Sequence, residues 1–267
     1  MTDPGDISSY AHGHHESVLR SHASRTVDNS ARYLVEHLAP GQRILDVGCG
    51  PGSLTADLVA HAPGCEMHAI DASPDAIERA RAEHGSVADF RTGDVYALDA
   101  PDDHYDVVHA HQVLQHLDDP VAALREMRRV AKPGGVVAVR DADYGAMTWS
   151  PDRPGLRDWM RIYQATTAAN GHDANAGRHL LGWARAAGFE RTVTTATAWC
   201  FADPDGRRWW AEGWADRIVQ SGYRDHAVAQ GLATDDSLAE MAADFRRWAE
   251  HDDAVFVVPH VECVGFV

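Results

Sequence analysis

Three glycines alternate at positions 48, 50 and 52, just after an acidic residue, in the stretch Ile44-Leu45-Asp46-Val47-Gly48-Cys49-Gly50-Pro51-Gly52. Glycine adopts backbone conformations closed to other residues and lets the main chain come close to a ligand. The spacing is not the G-x-G-x-x-G of dinucleotide sites, and Pro51 falls where such a chain would meet a diphosphate. Two further acids stand at 71 and 94, in Ile70-Asp71-Ala72-Ser73 and Thr92-Gly93-Asp94-Val95. A carboxylate at a strand tip can take both hydroxyls of a ribose diol, or the exocyclic amine of an adenine with an apolar side chain such as Val95 against the ring. His111 and His116 supply imidazoles that could act as a base, as could Asp143. A tight turn, a capped helix start or a core histidine explains any one of these residues singly.

These residues need elements to position them. Apolar runs at 43–47, 67–70, 87–92, 105–110 and 136–140 read as strands, and helical patterns at 53–61, 73–84 and 119–131 lie between them. Ser73-Pro74 and Asp119-Pro120 combine a capping side chain with proline at the first helical position. A helix is predicted over 28–38 with Asp28 as its cap, and another over 175–187. The βαβα rhythm predicts a parallel sheet covered on both faces. Asp46, Asp71 and Asp94 then fall at the carboxyl edge of successive strands, the edge where open α/β sheets bind ligands.

The segments LDVGCGPG (45–52), AIDAS (69–73), GDV (93–95), YDVVHAHQVLQHLDDP (105–120) and LREMRRVAKPGG (124–135) resemble the class I S-adenosylmethionine-dependent methyltransferases. The branch they are most similar to makes ubiquinone and menaquinone. The resemblance implies a Rossmann-like α/β sheet of seven strands, the last antiparallel. It implies S-adenosyl-L-methionine as cofactor. Asp46, Gly48, Cys49 and Gly50 would surround the methionine part, Asp71 and Ala72 the ribose, and Asp94 and Val95 the adenine. His111 and Gln112 would lie beside the sulfonium and amino group. In such enzymes N-terminal helices fold over the donor, so Tyr10 and His15 are expected as lid residues and Arg25 as a partner for the donor carboxylate.

The expected organisation is a lid at 1–40, a core at 41–202, a helical cap inserted at 203–253 and a last strand at 254–267. The insertion is predicted to hold two amphipathic helices, one with Trp210, Trp214 and Ile218 on a face. All eight tryptophans lie at or beyond position 149. Tyr144, Trp209, Trp210 and Trp214 are candidate acceptor contacts, although tryptophan at helical spacing is more often core. His12, His14, His15 and Glu16 have metal-ligating atoms but no distant partner, so no metal is expected.

Charge narrows the partners. Lys plus Arg is 24 and Asp plus Glu is 40, a net charge of −16. That field opposes nucleic acid and anionic membranes and favours a small-molecule acceptor, with room for a homodimer. No apolar run reaches the roughly 18 residues of a membrane span, and the polar first ten residues do not read as a secretion signal. The four cysteines, at 49, 65, 200 and 263, form no CxxC pair, which fits reduced thiols in the cytoplasm. The expected activity is methylation of a small metabolite, first at oxygen. A peptide carboxylate as acceptor and a donor-binding protein without transfer are the alternatives.

Overall fold

The computed structural model describes residues 24–267. They form two compact units. One comprises 24–142 with Ala176–Thr197 and His260–Val267; the other comprises Asp143–Asn175 with Ala198–Pro259.

The first unit is built on a sheet in the order β3 (Asp89–Thr92), β2 (Glu66–Asp71), β1 (Arg43–Val47), β4 (Tyr105–His111), β5 (Ala131–Ala142), β8 (Val255–Phe266), with β7 (Arg191–Phe201) also paired to β8. β1 to β5 are mutually parallel, and β8 runs antiparallel to β5 through Val136↔Phe266 to Ala142↔His260. Helices α1 (Ser53–His61), α2 (Pro74–His84), α3 (Pro120–Val130) and α5 (Leu180–Ala186) belong to this unit. α2 and α3 start as their sequences dictate. The Ser73 hydroxyl accepts the Ala76 N–H, and the Asp119 carboxylate accepts the Ala122 N–H at 2.9 Å, with proline next in each case.

Side chains alternate across the strands, so each strand feeds two cores. Ile44, Val107, Ala138 and Val264 meet Val27, Leu34 and Leu58 on one face. Leu45, Val108, Val137 and Val139 meet Leu124, Met127 and Leu180 on the other. The stretch expected as a helix capped by Asp28 is instead a π turn, Val27–Ala31, followed by a 3-10 turn, Arg32–His37. Thr26 is the cap. Its hydroxyl accepts the Asn29 N–H, and the Asn29 side chain accepts the Thr26 N–H in return, while Asp28 pairs outward with Arg32. The 175–187 helix likewise divides, into a 3-10 turn Ala176–His179 and α5.

The second unit contains β6 (Thr148–Ser150), α4 (Pro154–Ala169), α6 (Pro204–Gln220), α7 (Gly222–Ala229) and α8 (Asp235–Ala249). The insertion thus holds three helices where two were expected. Ser221 ends α6 and its side chain caps α7. β6 is a short strand beyond the seven expected, and it pairs with the start of β8 through Thr148↔Val257 and Ser150↔Val255. β8 is continuous through Pro259. The proline falls between the residues paired to β6 and those paired to β5, and its carbonyl accepts the Asp143 N–H at 3.0 Å. Aromatic rings fill the unit: Trp159 and Trp214 lie 4.5 Å apart between centroids, and Phe245, Phe256 and Tyr163 surround them. Among the described residues no helix is long and apolar enough to cross a membrane.

Candidate active site

The glycine turn joins β1 to α1. Gly48, Gly50 and Gly52 have φ of +69°, +54° and +83°, the left-handed region that a side chain makes costly. Space enforces the same choice. A Cβ on Gly48 would run into the Val113 side chain, and one on Gly52 would stand 2.9 Å from the Phe90 ring. The turn encloses a cavity whose lining includes Asp46, Gly48, Cys49, Gly50, Arg25 and His111. Burial pushes the Cys49 thiol up, so it stays protonated and serves as an apolar wall.

Asp71 ends β2 beside this turn. Its Oδ2 accepts the Gly50 N–H and its Oδ1 accepts the Ser73 N–H, both at 2.9 Å. The carboxylate is therefore aimed before any ligand arrives. Ala72 is exposed next to it. Asp94 lies beyond the end of β3, exposed, with its Oδ1 accepting the Tyr96 N–H at 2.9 Å, and Val95 packs into the core. Asp46 lines the cavity, but both its oxygens are engaged, Oδ2 by the Thr55 hydroxyl at 2.6 Å and Oδ1 by His109 Nδ1 at 2.8 Å.

His109, His260, Arg140 and Glu262 were missing from the sequence-based candidates. On the face that carries Ile44 and Val107, the apolar surface gives way at the carboxyl edge to a buried polar row. Asp46 pairs in register with His109, His111 with Arg140, and Arg140 with Glu262. Arg140 and Glu262 are both 1% exposed and joined at 3.2 Å, and the Thr195 and Thr197 hydroxyls also bind Glu262. The available signal was polar residues at period two inside apolar strands, 109 and 111 in β4, 260 and 262 in β8.

His111 is buried at the end of β4. Burial, with Arg25, Arg140, His260 and His109 around it, pushes its imidazole well below the usual range, so it is neutral at neutral pH. Gln112 follows with φ of +55°, unusual for a non-glycine residue, and its N–H donates to the Arg140 carbonyl at 2.7 Å. Its side chain bonds Arg25 on one side and His260 on the other. His116 sits in a 3-10 turn, Leu114–His116, with its Nε2 2.9 Å from Gln115 Nε2. Asp141, on the opposite face of β5, accepts the Gln115 N–H with Oδ1 at 3.2 Å, while its Oδ2 is buried with no hydrogen-bond partner among the described residues. Burial pushes the Asp141 carboxyl up to about 7.

The remaining candidates lie in the second unit or outside the described residues. Asp143 is buried, with its N–H bonded to the Pro259 carbonyl at 3.0 Å. Tyr144 stacks on Tyr163 at 4.2 Å. Trp210 and Trp214, both read as acceptor contacts, are buried in the aromatic core, with Trp214 1% exposed. Trp209 is 40% exposed. Tyr10, His15 and the His12–His14–Glu16 group lie outside the described residues.

The arrangement fits an adenosyl sulfonium ligand. The left-handed glycines leave the cradle free of side chains, and Asp71 presents a fixed diol acceptor. Arg25 opens on the same cavity, where a guanidinium suits a carboxylate. The profile of the methyltransferase domain family matches residues 38–193. An uncharacterized methyltransferase of Schizosaccharomyces pombe is 34% identical over 96% of this chain and 95% of its own. A ubiquinone biosynthesis O-methyltransferase of Nitrosospira multiformis is 38% identical over 36% of this chain and 41% of its own. The Haemonchus contortus phosphoethanolamine N-methyltransferase 2, solved with S-adenosylhomocysteine, matches in fold with a TM-score of 0.54, at 16% identity over 86% of this chain and 49% of that one. The chain belongs to the methyltransferase domain family, as a class I S-adenosylmethionine-dependent methyltransferase. Its cofactor is S-adenosylmethionine.

Proposed function

We propose that the protein methylates a hydroxyl oxygen of a small metabolite. The observation that carries this reading is His111, a neutral buried imidazole that lines the same cavity as the glycine turn. A hydroxyl acceptor has a proton to lose, and a neutral imidazole can take it. S-adenosylmethionine supplies the methyl group: the oxygen–carbon bond forms as the carbon–sulfur bond breaks, and the electron pair stays on sulfur.

The chain's own work is to hold and exclude. Gly48 and Gly50 let the backbone follow the methionine part, Asp71 takes the ribose diol, and Asp94 with Val95 takes the adenine. Arg25 answers the donor carboxylate. The buried lining around His111 keeps water from competing for the methyl group. The name of the Nitrosospira relative, an O-methyltransferase, supports oxygen as the acceptor atom. The net charge of −16 supports a small acceptor over nucleic acid.

The test is a mass-shift screen of cell extract with isotopically labelled donor, followed by S-adenosylhomocysteine release on each hit. Labelled methyl ethers are the expected products, and labelled esters alone would remove the need for a base at His111. Labelled amines alone, or tight donor binding with no release on any compound, would sink the oxygen reading.

A further inference from the structure

Gln112 forms a three-way junction. Arg25 Nη2 donates to its Oε1, its Nε2 lies 2.8 Å from His260 Nε2, and its backbone N–H is fixed on the Arg140 carbonyl. These contacts determine proton positions without any hydrogen being seen. A guanidinium has only donors, so the Gln112 atom facing Arg25 must be the carbonyl oxygen. The atom facing His260 is then the amide nitrogen, which also has only donors. His260 Nε2 must therefore accept, which requires a neutral ring with its proton on Nδ1. Gln112 has a left-handed backbone, and Ala142 is the β5 residue opposite His260 in the strand register.

His260 is fully buried and stacks on His111, with ring centroids 6.3 Å apart and planes at 23°. A charged His260 at that distance would oppose protonation of His111. We propose that Gln112 and His260 are positioning residues for the transfer: Gln112 locks His260 in the neutral Nδ1–H form, so that His111 keeps the basicity needed to take the proton of a hydroxyl acceptor. This rests on His111 as the proton acceptor proposed above and adds the two residues that set its state. The proton leaves the acceptor oxygen and ends on the His111 ring, while Gln112 and His260 exchange none.

Other charged and titratable groups face this pair from the neighbouring elements. They are Arg25 before the first turn, His109 on β4 and Arg140 on β5; Tyr33 on the 3-10 turn, Asp46 on β1 and Glu262 on β8 surround Arg140 in turn, and Asp141 lies on the opposite face of β5. Asp46 is tied to His109, and Glu262 to Arg140. Arg25 adds a positive charge, so a second cation on His260 is disfavoured where Gln112 gives it no acceptor.

The test is nitrogen-detected NMR of the full chain with 15N-labelled histidine and S-adenosylhomocysteine, with His260 assigned by His260→Asn. Between pH 6 and 8, His260 is expected to show a protonated Nδ1 and an unprotonated, hydrogen-bonded Nε2. In Gln112→Glu the side chain at 112 offers only acceptors, so His260 can donate from Nε2 while keeping its Nδ1 proton, and an imidazolium is expected. A unit charge about 6 Å from His111, at an effective dielectric near 20, moves the acid limb of kcat against pH down by roughly one to two units. The accompanying fall in plateau kcat is about tenfold. Gln112→Glu is expected in that direction, with part of the shift cancelled by its own carboxylate.

An imidazolium or an Nε2–H at His260 in the wild type at pH 7 overturns the lock, and needs no variant to fold. A wild-type pH profile in Gln112→Glu, with His260 an imidazolium, overturns the link to His111. A locked His260 in a protein that methylates no hydroxyl compound keeps the lock and removes the oxygen reading alone.

Discussion

Asp71→Ala should weaken donor binding in a way that separates direct contact from organisation of the glycine turn. The carboxylate holds two backbone amides, Gly50 N–H and Ser73 N–H, at 2.9 Å each. Both bonds are charge-assisted, and the side chain is half-buried, so solvent discounts them. Losing the pair should cost the unliganded fold about 1 to 3 kcal/mol. A ribose diol bound to the same oxygens adds a loss on the ligand side of about 1.5 to 3 kcal/mol, or roughly 10- to 150-fold in donor Kd. Asp71→Asn keeps one acceptor oxygen but turns an NH2 toward the other amide. It should lose about half as much affinity.

Calorimetric titration with S-adenosylhomocysteine and with its 2′-deoxy analogue gives a double-mutant cycle. If Asp71 takes the diol, the variant should no longer distinguish the two ligands. Unchanged affinity in Asp71→Ala would remove the residue from the site. Full discrimination retained by a weakened variant would show that Asp71 acts only through Gly50, and the diol assignment would be refuted.

The buried Arg140–Glu262 pair predicts a second asymmetry. Glu262→Ala should destabilise by about 3 to 5 kcal/mol because it strands Arg140, whereas Arg140→Met with Glu262→Leu should lose far less; urea unfolding of both tests it. Asp141 predicts a pH slope. Its folded value of about 7 lies above the usual 3.9, so the native state binds the extra proton and stability is greatest below the unfolded value, then falls as pH rises toward 7. The loss should reach a few kcal/mol, and Asp141→Asn should flatten the dependence between pH 4 and 7; equal slopes in both proteins would place the buried proton elsewhere. In the second unit, Trp214→Ala should cost about 3 to 5 kcal/mol, and Trp209→Ala should stay within about 0.5 kcal/mol, as thermal unfolding would show.

What could be read from the chain was what neighbouring residues decide among themselves. Ser73-Pro74 and Asp119-Pro120 start helices because the cap and the proline act within one turn. The glycines at 48, 50 and 52 mark left-handed backbone because no other residue adopts it cheaply. The π and 3-10 turns over 27–37 were misread as one helix. Their apolar residues suit either form, and in sequence Asp28 is as plausible a cap as the reciprocal Thr26–Asn29 pair that forms. The third helix of the insertion was missed for a similar reason, since Ser221 serves two helices at once.

The polar row was illegible for a different reason. His109, Arg140, Glu262 and His260 are far apart in sequence, and only strand register brings them together. Asp46 finds His109 across β1 and β4, and Arg140 finds Glu262 across β5 and β8, in an antiparallel pairing more than a hundred residues from its partner. Each alone looks like a polar residue interrupting a strand. The face they share differs chemically from the glycine cradle: backbone and single carboxylates define the cradle, whereas the row is made of buried side chains paired across strands. A donor common to a whole family can be held by the first kind of site. The second kind is where we propose that the acceptor is met, because a proton position set at Gln112 and His260 would change what His111 can accept without moving any atom of the cradle.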